Sequence, residues 1–92
     1  MTKAEELLRG VELAIAGDWD EAHEIAQRHE GDATADWLHA VLHKIEGDAG
    51  NARYWYRRCG KLDLVGDEAA AELQAIKAGI AAEPPGGRMG RW

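Results

Sequence analysis

Val11-Glu12-Leu13-Ala14-Ile15-Ala16-Gly17-Asp18 and Val41-Leu42-His43-Lys44-Ile45-Glu46-Gly47-Asp48 are one pattern met twice, thirty residues apart. Val11 answers to Val41, Ile15 to Ile45 and Gly17-Asp18 to Gly47-Asp48. The match continues past the glycine, with Ala22 against Ala52 and Arg28 against Arg58. Apolar residues four apart followed by Gly-Asp describe an amphipathic helix, a left-handed stop and the cap of a second helix. Each unit therefore reads as helix, turn, helix.

Outward from these turns the helices fill in. The first runs from about Thr2 to Ala16, with Thr2 and Glu5 at capping-box spacing and Leu7, Leu8, Val11, Ala14 and Ile15 along one face. The second runs from Asp18, again at capping-box spacing to Glu21, to about Arg28. The third, about Ala33 to Glu46, carries Trp37, Ala40, Val41, Lys44 and Ile45 on one face. The fourth, about Ala49 to Cys59, buries Ala52, Trp55, Tyr56 and Cys59. After an apolar connector of Leu62, Leu64 and Val65, a fifth from about Asp67 to Ala82 shows Ala69, Leu73, Ile76 and Ile80. The expected fold is all-α: two stacked antiparallel hairpins and a C-terminal capping helix. It forms one domain over residues 1–83, with a mobile Pro/Gly tail over 84–92 that ends in Trp92.

Composition agrees and excludes. Of the 92 residues, 17 are Ala, Leu, Ile and Val together number 16, Phe is absent and Trp occurs four times. Such a core is lean, and it needs helices that approach closely. Ala22, Ala40, Ala52 and Cys59 fall at or near the small-residue positions. The chain has no serine, so a serine nucleophile is excluded, and its one cysteine excludes an internal disulfide or a multi-cysteine zinc site. The net charge of -6 argues against nucleic acid as a partner. No apolar run is long enough to span a membrane. The acidic start Met1-Thr2-Lys3-Ala4-Glu5-Glu6 is not a signal peptide, so a cytoplasmic location is expected. Charge is unevenly spread, with residues 1–31 at -5 and residues 32–61 at +1. The acidic first third can meet the basic middle of a second copy, as in a homodimer, although solvated faces alone also produce such a split.

The repeat resembles the tetratricopeptide repeat. Trp37 stands at that family's leading Trp, Gly47-Asp48 at its inter-helix turn, Ala52 and Tyr56 at its Ala-x3-aromatic pair, and Cys59 at the next small position. Leu64 replaces the usual Pro, and the period of 30 is shorter than the family's 34. The likeness covers roughly residues 4–65 and implies a stack of helical hairpins that binds a peptide or protein. The string from Trp37 to Asp48, followed by Asn51-Ala52-Arg53-Tyr54-Trp55-Tyr56-Arg57-Arg58, also resembles a small bacterial family. The preceding Gly17-Asp18-Trp19-Asp20-Glu21-Ala22-His23 fits it too. That resemblance implies a bacterial source and carries no activity with it.

Two groups of residues carry candidate chemistry. His39 and His43 are four apart on one helix face, with Asp36 and Glu46 extending the stripe and His23 as a third imidazole. Histidines at this spacing can hold a divalent metal. The metalloprotease pattern fails, because Ala40 follows His39 where a Glu is required. The alternatives are polar residues that flank a helix interface and an acid–base or small-molecule site.

The second group is Asn51, Arg53, Tyr54, Arg57 and Arg58. Planar guanidiniums match carboxylates or phosphates bidentately. This group therefore suits an acidic peptide, a small anion or the acidic third of another copy. The first functional expectation is a protein- or peptide-binding, or self-associating, module that uses Tyr54, Arg57 and Arg58, with Asn51, beside His39 and His43. The second is a small metal- or ligand-binding protein or enzyme centred on His23, His39 and His43. Cys59 reads as a packed thiol, with Arg57, Arg58 and Lys61 as the only argument for reactivity.

Overall fold

The computed structural model describes residues 1–82, and its helices fall where the repeat places them. They are α1 (Lys3–Ala16), α2 (Trp19–Arg28), α3 (Ala33–Glu46), α4 (Ala49–Arg58) and α5 (Ala69–Ala82), with a short 3-10 turn over Leu62–Leu64 before α5. The tail expected over 84–92 lies outside the described residues.

Local signals account for the boundaries. Thr2 and Glu5 form the reciprocal capping box, Thr2 Oγ1 accepting from the Glu5 N–H and Glu5 Oε1 from the Thr2 N–H. Asp32 and Asp48 each accept a backbone N–H three residues on. Asp18 makes no such bond, so the second capping box expected from spacing is absent. Gly17 and Gly47 close α1 and α3 at φ 92° and 88°, a left-handed conformation that costs other residues about 1–2 kcal/mol. Gly47→Ala is therefore expected to lower stability by roughly 1 kcal/mol. For a domain of this size that is a fall of about 4–8 °C in thermal midpoint by circular dichroism.

α1 with α2, and α3 with α4, form two helical hairpins, which meet where α2 packs on α3. α5 lies against α1 and α3, the first helix of each hairpin. Some positions thirty residues apart share their environments. Val11 and Val41 are fully buried, Ala22 and Ala52 are buried, and Ile15 and Ile45 are both exposed. The two isoleucines were expected in the core. In α1, Leu7, Gly10, Val11 and Ala14 are the buried residues, and Ile15 lies about 90° around the helix from the centre of that arc.

α3 is the central element, in contact with all four other helices. Six consecutive residues, Leu38 to His43, are buried, so α3 has no solvent face along its middle. Close approach is bought with small residues. Ala22, Ala26, Ala35 and Ala40 are completely buried, and a Cβ on Gly10 would stand 3.1 Å from Ile25 Cγ2 and 3.2 Å from Leu38 Cδ2. Among the described residues no helix is long and apolar enough to cross a membrane.

A buried polar network fastens α5. Glu72 is 4% exposed, and its carboxylate accepts from both sides of the α3–α4 hairpin. The Tyr56 hydroxyl lies 2.8 Å from each of its oxygens, Trp37 Nε1 donates at 3.0 Å and the Lys44 ammonium pairs with Oε2. Lys44 Nζ also donates to the carbonyls of Leu64 and Asp67, at 3.0 and 2.6 Å. Burial and the Glu72 carboxylate push the Tyr56 hydroxyl well above its usual range, so it stays a proton donor at all working pH.

Candidate functional site

Because α3 is surrounded, His39 and His43 face the protein interior rather than an interface rim. They are 2% and 6% exposed. Half-buried His23 comes across from α2 to meet them. The His23 and His39 ring centres are 4.7 Å apart, those of His23 and His43 5.2 Å, and those of His39 and His43 4.9 Å. His39 Nε2 lies 3.0 Å from His23 Nε2. One ring nitrogen from each of the three falls within 4.8 Å of the others.

Two indoles wall the cluster. Trp55 of α4 stacks on His39 at 3.9 Å and 15°, and Trp19 stacks on His23 at 4.6 Å and 12°. Trp19 is itself anchored by its indole N–H, which donates to the Leu42 carbonyl at 2.7 Å. This bond ties the start of α2 to α3 of the second hairpin.

The hydrogen bonds assign the protons. His43 Nδ1 is 2.7 Å from Glu46 Oε2, so Nδ1–H donates to the carboxylate and Nε2 is the nitrogen turned away from it. His39 Nδ1 is buried and has no partner among the described residues. A bare lone pair there costs less than an orphaned N–H. We therefore place the His39 proton on Nε2, donating to His23 Nε2. Burial drives the His39 imidazole down to about 3, with His23, His43 and Arg58 adding to the effect. His23 is also lowered, first by burial and then by His43. Both rings are neutral at pH 7.

The remaining candidates divide between two faces. Asp36 does not join the histidines; it is buried and accepts the Gly31 N–H at 3.1 Å, which closes the α2–α3 turn. Asn51 is engaged in the α4 cap, both its backbone N–H and its side-chain amide donating to Asp48. Tyr54 and Arg58 pair on the outside of α4, with Arg58 Nη1 3.2 Å from the Tyr54 hydroxyl. The Arg58 guanidinium lies 4.9 Å from the Trp55 ring centre and 5.8 Å from that of Tyr54. Arg57 is exposed, and among the described residues neither it nor Arg53 makes an ion pair. Thus Trp55 stands between His39 and Arg58, touching both. Cys59, expected buried on the fourth helix, is its C-cap and only half-buried; desolvation still raises its thiol, and its Sγ contacts the Tyr56 carbonyl at 3.5 Å.

Sequence reasoning passed over the Glu72 network and the fourth histidine, His29, whose Nε2 lies 2.8 Å from Glu6 Oε1 on the other side of the first hairpin. A signal for the first was present. Lys44 sits in the apolar stripe of α3, and Glu72 shares the four-residue spacing of Ile76 and Ile80. Opposite charges at two core positions are each other's natural partners.

No protein-family model, curated protein or solved structure matches the chain. The roles of these residues rest on their own chemistry.

Proposed function

We propose that the chain is a small helical-hairpin binding module of the tetratricopeptide-like kind that takes an acidic partner on the outer face of α4. The observation that carries this reading is a group of exposed cations on α4 that make no ion pair among the described residues. α4 contains no Asp or Glu, its exposed residues include Arg53, Arg57 and Arg58, and among the described residues none of the three pairs with a carboxylate. In a chain of net charge -6, free guanidiniums gathered on one helix are notable.

Arg58 is also pre-set. Its contacts with Trp55 and Tyr54 restrict the side chain before any partner arrives, which lowers the ordering cost of binding. Its unused N–H groups suit the two oxygens of a carboxylate. A second copy of the chain is one such partner, since residues 1–31 carry a net charge of -5.

The test is fluorescence anisotropy with a labelled Glu/Asp-rich peptide, together with light scattering on the untagged chain. The peptide is expected to bind more weakly as salt rises. Arg57→Ala and Arg58→Ala are each expected to weaken it about tenfold, or about 1.4 kcal/mol, without loss of helical signal. Equal binding by both variants, or no binding by the parent chain, would sink the reading. A dimer that dissociates in salt would identify the second copy as the partner.

A further inference from the structure

We propose that His23, His39 and His43 form a binding site for one divalent transition-metal ion, which pins α2 to α3 where the two hairpins meet. The inference is independent of the α4 face. It stands on the arrangement of three imidazoles inside the protein.

The spacing is that of ligands. Two nitrogens bound tetrahedrally to one ion at about 2.0–2.1 Å stand about 3.3 Å apart. His39 Nε2 and His23 Nε2 are 3.0 Å apart, close to that separation already. Only one proton can lie between them, and a metal ion is its natural replacement. The third ring is oriented as a ligand. Glu46 accepts from His43 Nδ1 at 2.7 Å, and a carboxylate behind a histidine fixes the tautomer whose Nε2 coordinates. His43, Glu46 and Asp48 also gather ligand atoms within 4.8 Å of one another, so two carboxylates stand near an incoming positive charge.

His39 Nδ1 has a place in the same chemistry. It is a buried nitrogen aimed at no partner. When an ion takes Nε2, the proton held there moves to Nδ1 of the same ring, where it meets no acceptor among the described residues, so the metal–nitrogen bonds have to outweigh the cost of that unpaired N–H. His39 keeps its net charge and no proton is released from it. Both His39 and His23 are neutral at pH 7, the form in which imidazole binds metal.

The donor set selects the ion. Three imidazole nitrogens, without thiolate or carboxylate among them, suit zinc, nickel, cobalt or copper and not calcium or magnesium. Half-buried His23 marks the solvent side, where water completes the coordination. The stacked indoles of Trp55 and Trp19 hold the rings from the other sides.

The experiment uses the untagged chain after chelator treatment, titrated with zinc by calorimetry and with cobalt by visible absorption. One ion per chain is expected, with tetrahedral cobalt bands and a thermal midpoint raised by several degrees. His23→Ala, at the solvent edge of the cluster, is expected to keep its helical signal and lose affinity at least tenfold. His29→Ala, remote from the cluster, is expected to bind as the parent does. Absence of stoichiometric binding of zinc, cobalt, nickel and copper by the folded parent chain overturns the proposal. So does a folded His23→Ala variant with unchanged affinity.

Discussion

Glu72→Ala is expected to be the most damaging single substitution in the chain, lowering stability by about 3–5 kcal/mol. The reason is what it leaves behind. Glu72 is the only anion within reach of the Lys44 ammonium among the described residues, and it also receives the Tyr56 hydroxyl and the Trp37 indole N–H. Without it a largely buried cation loses its counter-charge, and the buried Tyr56 hydroxyl and part-buried Trp37 indole lose their acceptor together. Small domains of this size lose about 4–8 °C per kcal/mol, so a fall of 15 °C or more in thermal midpoint is expected. The companion measurement is a double-mutant cycle. Lys44→Met should cost less in the Glu72→Leu background than in the parent, because the pair fails as a unit. Additive costs, or a Glu72→Ala variant that melts within a few degrees of the parent, would show that burial of Leu73, Ile76 and Ile80 alone holds α5.

The second large effect is on pH. In the metal-free chain, kept so with chelator, stability should be level above about pH 6.5 and fall steadily below it. The direction follows from His39. Its native value is depressed to about 3 from an ordinary 6.5. Between those values the unfolded chain takes up a proton that the native chain refuses, so acid favours unfolding. The ideal slope is about 1.4 kcal/mol per pH unit for one group. About 1 kcal/mol per unit is expected here, with His23 adding in the same direction. Glu5, Glu6, Asp32 and Asp48 are also depressed, but from values of 4.5 and 3.8, so their losses come at lower pH. The window from pH 6.5 to 5 therefore belongs to the histidines. Urea melts at pH 7.5, 6 and 5 measure it, and His39→Leu should flatten the profile. A parent chain equally stable at pH 5 and 7.5 would contradict a buried neutral His39.

Much of this was legible in the residues, for physical reasons that can be named. Gly-Asp at 17–18 and 47–48 marked both hairpin turns because the left-handed backbone that glycine supplies is a local demand, and at the second turn Asp48 also caps the next helix. Ala22, Ala40 and Ala52 marked close helix contacts, and all three are buried. The i, i+4 spacing of His39 and His43 put them on one face, and His23 was a fair third. What spacing could not show was burial. An apolar stripe on α3 predicts one covered side, whereas α3 is covered on all sides by elements that follow or precede it in the chain. That tertiary fact turned rim histidines into interior ones. The same limit applied to Ile15 and Ile45, apolar by type and periodic in position, yet placed in last turns beyond the reach of neighbouring helices.

The encirclement of α3 also bears on how the molecule opens. No other helix can leave without uncovering some part of it, and it cannot itself be released while the rest stays in place. Amide hydrogens in the middle of α3, around Val41, should therefore exchange with solvent only when the whole chain unfolds, whereas those in the outer turns of α2 and α4 exchange through smaller openings. A protein that looks modular in its sequence should behave in exchange experiments as a single cooperative unit, with its slowest amides in the helix that carries two of the three clustered histidines.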